Sequence, residues 1–283
     1  MAPHNVTGFG TKVWLGTAGW SYLPDWLGSF YPPGTSSSEA LNRYVEAFRF
    51  VEVDSTFYAA PAPSTIERWA SIMPSGFRAS FKAPRELVQD TDLRPPDVPF
   101  GHFCRTLSEG LGPRMARIVV QMQPSFTRTP NNDVALRAFC AQWASEYPLA
   151  IEFRSNSWLH PAVDDVLRSY DVARVSNDLH DVPDLERRCF DTSHSAAYFR
   201  LIGRHDGMSK DRIQRPQDEA RPWWAEQIAN LAGQGIEHIY VVVNNHYEGH
   251  APATLRTLGS ELAALGCAVV PFNGWPDGQV SLF

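Results

Sequence analysis

Phe50-Val51-Glu52-Val53-Asp54 alternates apolar and acidic side chains, and that alternation decides the fold. Successive side chains of an extended strand change face. Val51 and Val53 therefore share one face, and Glu52 and Asp54 the other. The pattern recurs along the chain. Ala79 and Phe81 alternate with Ser80 and Lys82, and Ile118, Val120 and Met122 with Val119, Gln121 and Gln123. Ile151 and Phe153 alternate with Glu152 and Arg154, Phe199 and Leu201 with Arg200, and Val241 and Val243 with Val242 and Asn244. Val175 is read in the same way against Ser176 and Asp178.

These runs predict strands at Val13–Gly16, Phe50–Asp54, Arg78–Lys82, Ile118–Gln121, Ala150–Phe153, Ala173–Ser176, Ala197–Leu201 and Ile239–Val243, with Ala268–Pro271 as an edge or closing segment. Helical patterns lie between most of them. Ser36–Glu39 opens a segment with Leu41, Tyr44, Val45 and Phe48 at helical spacing, and Ser64-x-x-Glu67 reads as a capping box. Further helices are predicted over Asn131–Tyr147, Pro222–Gly235 and Pro252–Leu265. Asp90–Phe100 and His205–Arg221, rich in proline or charge, read as lids or insertions. Alternating β and α segments point to parallel βα units with right-handed crossovers. The prediction is an α/β fold, a single (β/α)8 TIM-type barrel over residues 1–283, its closed parallel sheet surrounded by helices.

A parallel strand beneath helices is usually apolar on both faces. Here one parity alone is apolar, so the polar parity is expected to point at the barrel axis. Its upper half would be lined by Glu52, Asp54, Lys82, Gln121, Gln123, Glu152, Arg154, Asp178, Arg200 and Asn244. Burying such charges is costly unless they pair. Two readings follow: a structural ion-pair network, or a ligand site at the strand ends, where barrels place catalytic groups.

The 283 residues carry 43% hydrophobic and 20% charged side chains and a net charge of -6, which argues against a broadly basic nucleic-acid surface. Cys104, Cys140, Cys189 and Cys267 show no C-x-x-C pairing and read as free thiols. With no secretory signal and no apolar stretch of membrane-spanning length, the expectation is a cytoplasmic protein without a membrane partner.

Several strand-end blocks resemble the YecE-like family (domain of unknown function 72). They are Gly16-Thr17-Ala18-Gly19-Trp20-Ser21-Tyr22 with Trp26, Val51–Tyr58, Phe81-Lys82-Ala83-Pro84, Gln121–Phe126, Glu152-Phe153-Arg154 with Trp158, and Asn244-Asn245. The resemblance implies a TIM-type barrel and, at fold level, likeness to endonuclease IV and xylose isomerase. Asp54 stands where the family usually has asparagine, adding a carboxylate.

The leading functional expectation is acid–base chemistry on a small polar ligand, anionic or sugar-like. Glu152, Glu52, Asp54 and Lys82 are the catalytic candidates, because such chemistry needs groups whose pKa values are pushed apart. Arg154, Arg200, Asp178, Gln121, Asn244 and Asn245 are candidates for binding polar groups, and Trp20, Tyr22, Tyr58 and Trp158 for stacking. Alternatives are a nucleic-acid-binding or endonuclease IV-like phosphodiesterase and a non-catalytic binding scaffold. No cofactor is predicted. A divalent metal on His246 and His250, four apart after the last strand, is the minority reading, since the strand ends are mostly Arg, Lys, Asn and Gln.

Overall fold

The computed structural model describes residues 10–94, 97–178, 188–205 and 207–272. Eight parallel strands close into a barrel in sequence order: β1 (Lys12–Ala18), β2 (Phe50–Val53), β3 (Arg78–Lys82), β4 (Met115–Gln121), β5 (Leu149–Glu152), β6 (Ala173–Asn177), β7 (Ala196–Leu201) and β8 (His238–Val243). Closure comes from β1 pairing with both β2 and β8. The helices are α1 (Ala40–Ala47), α2 (Pro63–Ile72), α3 (Arg85–Val88), α4 (Asp97–Leu111), α5 (Pro130–Trp143), α6 (Pro161–Ser169), α7 (Ala220–Ala232) and α8 (Ala251–Ala264). The fold is the expected TIM-type α/β barrel.

Every predicted strand is present, with ends shifted by up to three residues. Ala268–Val270 is a closing segment: β2 begins level with Gly16, and Val269 bridges Val13 below it. Two local expectations fail. Pro63 starts α2, so Ser64 lies inside the helix, and no side chain caps it. Asp90–Phe100 is not wholly a lid: turns follow α3, and α4 begins at Asp97.

Parity sorts the core as expected on six strands. Val51, Val53, Ala79, Phe81, Ile118, Val120, Ile151, Phe199, Leu201, Val241 and Val243 pack with the helices. A separate cluster fills the lower interior with Trp14, Phe50, Val119, Ala150, Tyr198, Tyr240 and Val242. The exception is β6, where Val175 belongs to that interior cluster. Arg174 instead reaches Asp164 on α6 at 2.5 Å, with its guanidinium 4.0 Å from the Phe190 ring. The axis-facing polar residue of β6 is therefore Asn177, level with Arg200, and Asp178 falls on the other parity.

Candidate functional site

Above the aromatic plug, five side chains from four strands and one following loop form a ring. Arg200 on β7 donates through Nε and Nη2 to Glu52 Oε1 of β2, at 3.2 and 2.9 Å, and through Nη1 to Gln121 Oε1 of β4 at 3.0 Å. Its Nη1 also bonds Glu152 Oε2 of β5. Arg154, just past β5, donates Nε to Glu152 Oε1 at 2.7 Å and Nη2 to Gln121 Oε1 at 3.2 Å. The Tyr198 hydroxyl supports Glu52 Oε2 from below at 2.9 Å. Parity turns these side chains toward the axis, where Arg200 reaches across the interior to β2, β4 and β5, none of which pairs with β7.

Both glutamates are fully buried. Burial would raise the Glu152 carboxyl, but Arg200 and Arg154 outweigh it and hold it at about 2. The same two carboxylates outweigh the burial of Arg200 and hold its guanidinium firmly protonated. Arg154 is 26% exposed, and Nη1 is the guanidinium nitrogen that the ring's hydrogen bonds leave open.

Lys82, at the end of β3, is 8% exposed. Its Nζ lies 4.1 Å from the centroid of the Phe57 ring and makes no hydrogen bond or ion pair among the described residues. Burial, reinforced by the positive charge of Arg200, lowers its amine to about 8. Burial and the charge of Glu52 raise the Asp54 carboxyl. Gly19 brings the β1 loop against that carboxylate. It sits at φ +81°, and a Cβ there would lie 3.0 Å from Asp54 Oδ1. A cavity of about 170 Å³ opens at this point, lined by Gly19, Trp20, Ser21, Tyr22, Val53, Asp54 and Ser55. By liquid volume that is room for about six waters, the scale of a small metabolite.

The remaining candidates are spread more widely. The Tyr22 hydroxyl donates to Ala18 O at 2.6 Å, and its ring lies 5.2 Å from Lys210 Nζ. Trp20 lines the cavity and packs edge-on against Trp69. Tyr58 stands 85% exposed on the rim. Trp158 is fully buried, stacked on Phe126 and Phe153, with Nε1 donating to Phe126 O. It has no face to offer a ligand, and Trp26 is buried likewise. Asn244 Oδ1 accepts from His246 N, and Asn245 Oδ1 from Trp26 Nε1 and Ala251 N, so these amides tie loops together outside the ring. Asp178 is buried, and its main-chain N–H bonds Arg200 O. His250 caps α8, Nδ1 accepting from Ala253 N, while His246 packs on His205 at 4.1 Å between ring centroids. Burial lowers both His246 and His250 to about 4, so neither carries charge at neutral pH. Among the described residues no three His, Cys, Asp or Glu side chains converge as a metal site.

Sequence reasoning missed Tyr198 and Asn177. Tyr198 shares the parity of Arg200, and that signal was available. Asn177 was hidden by the inverted reading of β6.

Similarity to other proteins runs along the whole chain. A *Bacillus subtilis* protein, UPF0759 protein YunF, is 29% identical over 96% of this chain and 100% of its own. UPF0759 protein YecE of *Escherichia coli* is 29% identical over 50% of this chain and 48% of its own. A solved DUF72 family protein of *Thermotoga maritima* superposes with a TM-score of 0.70 at 24% identity, over 89% of this chain and 99% of that one. One from *Enterococcus faecalis* does so at 0.70 and 18%, over 95% and 100%; both likenesses concern the fold. No helix among the described residues is long and apolar enough to cross a membrane. The family described as "Protein of unknown function DUF72" matches residues 14–276, and the chain belongs to it.

Proposed function

We propose that the protein is an enzyme that takes a small anionic substrate, a carboxylate or a phosphate ester, at the carboxyl end of the barrel and acts on it by proton transfer. The observation that carries this reading is a mismatch in pairing. Glu52 and Glu152 are occupied by Arg200 and Arg154, whereas the buried Lys82 amine keeps no carboxylate partner among the described residues. Burial and the charge of Glu52 disfavour the charged form of the Asp54 carboxyl, so it is a weak counter-ion for the buried amine, and an incoming anion would supply the missing partner. The open edge of Arg154 suits the planar oxygens of a carboxylate or phosphate.

Lys82 and Asp54 are the pair for proton transfer. Burial moves an amine down and a carboxyl up, bringing both toward neutral pH, where proton exchange is efficient. Glu52 and Glu152 then act as positioning residues that hold the arginines. The test is calorimetric titration of the protein with inorganic phosphate and with acetate at low salt. Saturable binding by the wild type is expected, weakened at least tenfold, about 1.4 kcal/mol, in Lys82→Met and Arg154→Met variants that retain the native circular dichroism. A wild type that binds neither anion would overturn the reading.

A further inference from the structure

The chain has 25 Lys and Arg residues, yet Lys12, Lys82 and Lys210 are its only lysines. Arginine is thus the chain's usual cation, and each of the ring's two cations is an arginine. Where a fixed charge is needed, a guanidinium serves and stays protonated. Position 82 departs from that habit at the one ring-level cation that is buried and left without a hydrogen bond or ion pair among the described residues. An amine differs from a guanidinium in one respect that matters here: it can lose its proton and become a nucleophile.

We infer that Lys82 is such a nucleophile, condensing with the carbonyl of a small oxo acid to form an imine on the enzyme. The inference rests on the anion-binding reading above and narrows its substrate class to a carboxylate bearing an aldehyde or ketone. The substrate carboxylate lies on the open edge of Arg154, which places the carbonyl toward Lys82. The neutral amine adds to the carbonyl carbon: a C–N bond forms, and the C=O π electrons move to oxygen. A proton passes from nitrogen to that oxygen, giving a neutral carbinolamine. Asp54, which immediately precedes the turn that carries Phe57 and whose burial favours the acid form, gives a proton to the hydroxyl. Water leaves as the nitrogen lone pair forms C=N⁺, and Asp54 remains as carboxylate. The charges around the amine are Arg200, Arg154, Glu52 and Glu152, with Asp54 beside them. The two arginines oppose its protonation and the two glutamates favour it.

The experiment incubates the intact protein separately with glyoxylate, pyruvate and 2-oxoglutarate in the presence of cyanoborohydride, which reduces any imine to a stable amine. Intact mass and peptide mapping then locate the adduct. One adduct per chain is expected with at least one of these acids, on Lys82, forming faster at pH 8 than at pH 6 and suppressed by lactate, which has the carboxylate without the carbonyl. Lys82→Arg should acquire no adduct. Lactate binding by the wild type without any trapped adduct would overturn the imine and leave the anion site standing. Adducts spread evenly over Lys12, Lys82 and Lys210 would also overturn it. If neither lactate nor phosphate binds, the anion-binding reading fails as well. Mapping of the wild type carries the decision even if the variants fold poorly.

Discussion

Replacing Arg200 by methionine removes the hub of the ring while keeping an unbranched apolar stem. Arg200 is 4% exposed, and its partners Glu52 and Glu152 are 0% exposed. Taking one partner from a buried ion pair leaves an uncompensated charge, a loss of about 3–5 kcal/mol. Glu152 keeps Arg154, so the burden falls mainly on Glu52, whose remaining contact in the ring region is the Tyr198 hydroxyl. A domain this size is stable by about 5–15 kcal/mol. At about 2–4 °C per kcal/mol, the melting temperature should fall by roughly 10 °C. The deficit has a pH signature. The orphaned carboxylates are relieved by protonation, so the variant's folded state binds more protons than its unfolded state, and its stability falls as pH rises. Differential scanning calorimetry at pH 8 and pH 5 should show a large gap from wild type at pH 8 and a smaller one at pH 5. Adding Glu52→Gln to Arg200→Met should recover part of the loss. A variant melting within about 2 °C of wild type at both pH values would refute the coupled, buried ring.

Three further outcomes are expected. Glu152, held at about 2 against an ordinary 4.5, contributes about 3 kcal/mol that is fully present above pH 4.5 and lost as pH falls toward 2; urea melts across that window should show the decline, and Glu152→Gln should flatten it. Trp158→Ala should destabilise by about 3–5 kcal/mol, whereas Tyr58→Ala on the exposed rim should stay within about 0.5 kcal/mol, both read by denaturant titration. Gly203 has φ +72°, and a Cβ there would lie 2.2 Å from His246 O; Gly203→Ala should lose more than the about 1–2 kcal/mol of left-handed strain alone, seen as a lower melting temperature.

The barrel was legible because one physical rule governs most of it. Strands whose two faces meet different surroundings show a two-residue period, and six of the eight expose that period plainly. β6 does not. Arg174 and Ser176 lie on its outer parity and Asn177 on its inner one, so no apolar parity marks the helix side. The outer arginine is tolerated because Asp164 and the Phe153 and Phe190 rings receive it, partners that lie on other elements and leave no trace in the local pattern. The axis-facing placement of residues within strands was legible for the same reason: Glu52, Lys82, Gln121, Glu152 and Arg200 follow parity. Residues after the strands were less legible. Asn244, Asn245, Trp158 and His250 carry the residue types of binding sites, but turn bonds, stacking and helix capping occupy them. A loop's path determines which use is made of such a side chain, and periodicity does not encode that path.

The division of labour inside the barrel comes down to one amine. Competitive labelling of Lys82 with an acylating reagent, followed by mass spectrometry as a function of pH, measures its titration directly. The account predicts a midpoint of about 8 in the free protein, moving upward when saturating phosphate supplies the missing negative charge. A midpoint near the ordinary 10.5 that phosphate leaves unmoved would contradict it.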